Sequence, residues 1–126
     1  MTAPRILVLD DDPKIRKLYE RALTQEGYAV ITAATAEEAL TAIRESRPSA
    51  LLVDLKMPFV NGAGFLFRLR EDPSGRDVPV AVITGVSNVD EETQKDLSEL
   101  RARVWHKPLT PAEIVQVART LLAPGS

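Results

Sequence analysis

Three near-continuous apolar runs constrain this chain most: Ile6-Leu7-Val8-Leu9, Ala50-Leu51-Leu52-Val53 and Val78-Pro79-Val80-Ala81-Val82-Ile83. A strand with one wet face alternates apolar and polar residues, whereas runs like these belong to strands covered on both faces. Tyr28-Ala29-Val30-Ile31-Thr32 and Arg103-Val104-Trp105-His106 read as two further strands, less apolar and so nearer the sheet edges. Helical signals fill the intervals. Asp12 before Pro13 is an N-cap followed by proline at the first helical position, and Ile15, Leu18, Tyr19, Ala22 and Leu23 then recur at helical spacing until Gly27. Thr35 with Glu38, and Thr110-Pro111 with Glu113, have capping-box spacing ahead of the stripes Ala39, Leu40, Ile43 and Ile114, Val117, Ala118, Leu121. A third helix is expected from near Gly62 through Phe65, Leu66 and Leu69 to the turn Asp72-Pro73-Ser74-Gly75, and a fourth after Asn88 with Asp90, Glu91 and Glu92 in its first turn.

Five strands alternating with five helices predict an α/β fold, one doubly wound (βα)5 domain around a parallel sheet. At 126 residues the chain is expected to be a single domain, its core about 5–122 with a short tail at 123–126. Sixteen Lys and Arg against 18 Asp and Glu leave no basic field for a nucleic-acid backbone or an anionic membrane. Cysteine is absent, which removes disulfides, thiolate metal sites and thiol catalysis. With no apolar run approaching a membrane span and no signal-like segment in Met1 to Arg5, a cytoplasmic location is expected.

In sheets of this kind ligands gather beyond the carboxyl ends of the strands, at the switch point of strand order. That edge collects Asp10-Asp11-Asp12, Asp54, Thr84-Gly85 and Lys107-Pro108. Asp10 and Asp11 close the first strand, and Asp54 closes the third, its neighbour if the order is 2-1-3-4-5. Two unit charges about 4 Å apart repel by about 4 kcal/mol at an effective dielectric near 20, so three carboxylates there call for a cation. Oxygen ligands open to water suit Mg²⁺, with Mn²⁺ able to substitute, and such sites leave room for a phosphoryl oxygen. Lys107 offers a compact positive charge and Thr84 a hydroxyl, both suited to a phosphoryl group. No phosphate-cradling loop of the nucleotide-binding kinds is present. A carboxylate can itself take a phosphoryl group as an acyl phosphate.

Together the acid pair, the stretch Asp54-Leu55-Lys56-Met57-Pro58-Phe59-Val60-Asn61-Gly62, Thr84 and Lys107-Pro108 resemble a response-regulator receiver domain, with a CheY-like, flavodoxin-like fold of strand order 2-1-3-4-5. The resemblance spans about Arg5 to Leu122. It implies that Asp54 is the phosphoacceptor, that Asp11, Asp54 and the backbone carbonyl of Lys56 bind the metal with Asp10 acting through water, and that Thr84 and Lys107 follow and pair with the phosphoryl group. It further implies a sensor histidine kinase or phosphotransfer protein as donor, and a downstream output domain or protein. By the same resemblance the chain is no enzyme beyond assisting its own phosphorylation and dephosphorylation.

The position where such proteins carry a switch aromatic is Val104, and Leu100-Arg101-Ala102 stands where Gly-Ala commonly precedes the fifth strand. Trp105, one step along, points to the opposite face and does not replace the ring. The resemblance implies that Lys56 and Val86, two residues past Asp54 and Thr84, line the path of the hydrolytic water. Two other classes compete: an interaction-only pseudo-receiver, suggested by Val104 and the altered entry to the fifth strand, and a haloacid-dehalogenase-like phosphatase with Asp10 as nucleophile and Asp12 as acid. Position 14 is Lys where the latter wants Thr. Asp12 is expected as a helix cap, His106 as an exposed strand residue and Trp105 as core. Weak homodimerisation through the fourth helix, fifth strand and fifth helix is a further expectation.

Overall fold

The computed structural model describes residues 3–55, 59–85 and 91–123, with the backbone alone at 55 and 59–63. In chain order its elements are β1 (Arg5–Leu9), α1 (Pro13–Gln25), β2 (Ala29–Ala33), α2 (Ala36–Ser46), β3 (Ala50–Leu55), α3 (Phe59–Glu71), β4 (Val80–Thr84), α4 (Glu91–Glu99), β5 (Ala102–His106) and α5 (Pro111–Leu122). The strands form one parallel sheet in the order β2-β1-β3-β4-β5, as expected, with the two less apolar strands at its edges.

Period-two alternation sorts the strand residues onto two cores. Ile6, Val8, Ala50, Leu52, Ala81 and Ile83 face α1 and α5, where they meet Tyr19, Leu23, Ile114 and Leu121. Leu7, Leu9, Leu51, Val53, Val80 and Val82 face α2, α3 and α4. The central strands β1, β3 and β4 are therefore buried on both sides, which is why their sequences run apolar without a break.

The capping residues act as expected, with one difference. Asp12 accepts from the Lys14 N–H at 2.8 Å, with Pro13 opening α1, and Gly27 leaves the helix at φ +94°. Thr110 and Glu113 close a full capping box on α5. At α2, Thr35 Oγ1 receives the Glu38 N–H, but the Glu38 carboxylate reaches Ala34 N rather than the cap residue, so that box is only half formed.

Two element starts and one stripe residue depart from the sequence reading. Helix α3 begins at Phe59, three residues before Gly62. A helical glycine costs only about 1 kcal/mol, which the burial of Phe65, Leu66 and Leu69 offsets, so Gly62 lies inside the helix rather than marking its start. Strand β4 begins at Val80 because Pro79 has no N–H for the ladder, although its carbonyl accepts from Leu51 N at 2.9 Å. Leu18, counted in the apolar stripe of α1, is 42% exposed, while Tyr19, Ala22 and Leu23 carry the burial. Asn88, after which the fourth helix is expected, and Asp90, expected in its first turn, lie outside the described residues, whereas Glu91 and Glu92 do open α4. Among the described residues no helix is long and apolar enough to cross a membrane.

Candidate functional site

Asp10 is the first residue beyond β1 and Asp54 the penultimate residue of β3. Both share the even-numbered alternation of Ile6, Val8, Ala50 and Leu52, so the strand pleat turns both carboxylates toward the α1 side of the sheet edge. Both are buried, at 1% and 4% exposure. Asp10 Oδ1 accepts the Asp12 N–H at 2.9 Å, and its backbone is held by Asp10 N to Ala33 O and by Arg16 Nη1 donating to Asp10 O at 2.7 Å. Asp10 Oδ2 is buried and, among the described residues, has no hydrogen-bond partner. Burial, and then the neighbouring Asp54 and Asp11 carboxylates, push the Asp10 carboxyl up to about 7 against the pull of the Asp12 N–H.

Lys107, the residue after β5, crosses to Asp54: its Nζ lies 2.5 Å from Asp54 Oδ1. The approach is off the hydrogen-bonding direction, which makes it a contact of charge rather than an aligned hydrogen bond. The lysine is anchored by its own N–H donating to Thr84 O at 2.8 Å, and its stem runs past Gly85, where a Cβ would lie 3.8 Å from Lys107 Cδ. Thr84 ends β4, fully buried beside Leu55 in the ladder. The Lys107–Pro108 peptide is cis.

Of the residues singled out in sequence, the fold thus brings Asp10, Asp54 and Lys107 into one pocket and seats Thr84 on the adjoining strand end. Asp11 is exposed at the rim next to Asp10. Lys56, Met57, Pro58 and Val86 lie outside the described residues. Val104 packs half-buried on the core shared by α3 and α4, and Trp105 packs on the α5 face with Arg103 5.6 Å from its ring centre, the two opposite faces expected of neighbours in a strand. His106 is exposed, and Arg101 takes a left-handed φ of +59° where a glycine would sit more easily.

One residue of the pocket was not found by sequence reasoning. Tyr19 donates its hydroxyl to Asp54 Oδ2 at 3.2 Å from within the α1 core, and burial, with the carboxylates beyond it, holds its proton more tightly than usual. Its only sequence signal is a phenol in an otherwise aliphatic stripe.

Could the pocket hold a cation? Among the described residues no three acid, His or Cys side chains close around a single point. A buried oxygen on Asp10 with no partner among the described residues, a second buried carboxylate beside it and an exposed third at the rim nevertheless supply hard oxygen donors, the kind that suits magnesium rather than zinc.

A model of the response regulator receiver domain matches residues 6–119. The transcriptional regulatory protein PrrA of Mycobacterium bovis is 36% identical over 97% of this chain and 51% of its own length. The probable transcriptional regulator ycf27 of Porphyridium aerugineum is 37% identical over 97% of this chain and 49% of its own. The chain thus spans about half the length of these curated relatives. Among solved structures, the chemotaxis response regulator CheY4 of Vibrio cholerae superposes with a TM-score of 0.83 at 26% identity, covering 96% of this chain and all of that one. A CheY-like receiver protein from Methanospirillum hungatei gives 0.82 at 28%, covering 95% of this chain and 94% of that one. The chain belongs to the receiver-domain family of two-component response regulators.

That family is regulatory rather than enzymatic in the usual sense. Neither rival class gains support: the family match covers nearly the whole chain, and Asp12, the acid of the phosphatase reading, is engaged as the cap of α1.

Proposed function

We propose that residues 5–122 act as a phosphorylatable switch in which Asp54 takes a phosphoryl group from a sensor histidine kinase or phosphotransfer protein. The single observation that carries this reading is the seating of Asp54: a buried carboxylate at a strand end, with an ammonium 2.5 Å from one oxygen and a partnerless buried carboxylate oxygen beside it. Asp54 would attack phosphorus as the donor's P–N bond breaks and its pair returns to the imidazole. Lys107 would then leave the carboxylate for the phosphoryl oxygens, and the Thr84 hydroxyl would turn toward them. Asp11, Asp54 and the Lys56 carbonyl would hold Mg²⁺, or Mn²⁺ in its place, with Asp10 reaching it through water. Bound there, the ion supplies positive charge and orientation for the phosphoryl group.

Charge neutralisation and positioning are the main demands of a loose phosphoryl-transfer transition state, and the chain would assist only its own phosphorylation and hydrolysis. The output is a shifted population at the surface of β4, β5 and α5, read by a downstream domain or protein. The names of PrrA and ycf27 support a transcriptional output reached through another part of such a regulator, and the near-even charge of this chain argues against its own contact with nucleic acid. A cytoplasmic location and a weak dimer through α4, β5 and α5 complete the reading. Incubation with acetyl phosphate and Mg²⁺ followed by peptide mass spectrometry is expected to place one phosphate on Asp54 and none on Asp54→Asn. Phosphate on Asp10, with turnover of phosphate monoesters, would overturn it.

A further inference from the structure

The two oxygens of Asp54 meet different chemistry from two different elements. Lys107, from the end of β5, places a mobile charge at Oδ1, whereas Tyr19, a residue only 3% exposed in the α1 core, brings a hydroxyl to Oδ2. A lysine stem can swing away. The phenol ring is fixed by packing and has no freedom to follow a departing phosphoryl group.

We infer that the Tyr19 hydroxyl sets how long a phosphoryl group stays on Asp54, shortening its lifetime by stabilising the carboxylate that hydrolysis releases. The inference rests on Asp54 being the phosphoacceptor. Phosphorylation makes one oxygen the bridging atom and leaves the other as a neutral acyl carbonyl. A hydrogen bond to an ionised carboxylate is about twice as strong as one to a neutral acceptor, so the same hydroxyl favours free Asp54 over its acyl phosphate. In hydrolysis, water oxygen bonds to phosphorus and the P–O bond to Asp54 breaks. The bonding pair stays on the carboxylate, and the protons of water leave with inorganic phosphate or pass to solvent. Because bond breaking runs ahead in a loose transition state, much of the carboxylate charge has already returned when the barrier is crossed. A donor waiting at Oδ2 is then worth more at the barrier than in the acyl phosphate, which is the condition for acceleration. Oδ2 retains acceptor capacity for a second partner, so the phenol does not exclude a metal from the same carboxylate. Run in reverse, the same hydrogen bond steadies the nucleophile and restrains its attack.

The test is Tyr19→Phe, which deletes the oxygen and keeps the ring. Phosphorylation of this chain and of the variant by acetyl phosphate with Mg²⁺ is followed by intact mass, and the decay is followed after the donor is removed. The variant is expected to lose phosphate about three- to tenfold more slowly, while its labelling is as fast as that of the unsubstituted chain or faster. Damage to the pocket from altered packing would instead slow both directions. A decay rate unchanged in Tyr19→Phe, or slowing of labelling and decay together, overturns the inference and leaves Asp54 as the acceptor. Failure of the unsubstituted chain to be labelled on Asp54 removes the acceptor reading itself, and the inference with it.

Discussion

At one end of the sheet the Arg70 guanidinium reaches from α3 into a ring of carbonyls, and at the other Asp10 and Asp54 face each other beneath Lys107. Arg70 donates to Leu100 O at 2.9 Å, Gly75 O at 3.0 Å and Val78 O at 2.7 Å, with longer contacts to Arg76 O and Arg101 O. One half-buried cation thus ties the C-terminal half of α3 to the entries of β4 and β5, at the cost of a proton affinity lowered by burial. Its fork geometry matches its acceptors, and the group is complete. The acid pocket is the reverse: two buried carboxylates, a carboxyl oxygen with no partner and a lysine pressed onto one oxygen off the hydrogen-bonding direction. Buried polar groups that a fold needs for itself are satisfied, while those left short of partners await something else.

The contrast can be broken at the Arg70 end first. Arg70→Met keeps the bulk but strands three close carbonyl acceptors, and is expected to cost about 2–3 kcal/mol in urea unfolding while leaving Mg²⁺ binding and labelling of Asp54 unchanged. Loss of labelling there would mean the two ends are coupled. Gly75→Ala attacks the same end sterically, since a Cβ would clash with Leu69 Cδ1 and lie 2.7 Å from Leu69 O. A loss of about 2 kcal/mol is expected by the same measurement.

At the acid end the sign reverses. Asp10 titrates at about 7 in the metal-free fold, against an ordinary value of 3.8, so between about pH 4 and 7 the folded chain binds more protons than the unfolded one. Stability of the metal-free chain therefore falls as pH rises through that window. Asp10→Asn removes the loss and is expected to gain about 1–2 kcal/mol at pH 8 and almost nothing at pH 4. Equal stability of variant and parent at pH 8 would show that Asp10 is better served by its surroundings than its unpartnered oxygen indicates.

How much of this was written in the chain differs between the two ends as well. The strand order and the convergence of positions 10, 54 and 107 were legible because apolar runs, caps and the rule for strand ends depend on local pattern and topology. Even the side of the sheet follows from parity, since Asp10 and Asp54 keep step with Ile6 and Leu52. Tyr19 was legible only as a core residue. Where its hydroxyl ends depends on how α1 lies across the sheet, which spacing along the helix does not specify. Arg70 was illegible for a related reason: an arginine between buried Leu69 and Glu71 reads as solvated, and its acceptors are backbone carbonyls that no side-chain pattern announces. Helix α3 runs back past Gly62 to Phe59 because one helical glycine costs only about 1 kcal/mol, too little to mark a start.

Strand β5 has a neighbour on one side only, and Lys107, the residue after it, is tied to the end of β4 by its N–H to Thr84 O. Asp10 and Asp54, by contrast, stand at the ends of strands flanked on both sides. Fraying of those five edge residues would carry the ammonium out of reach while the acids stayed seated, so the switch can be silenced by a local opening that leaves the rest of the sheet intact.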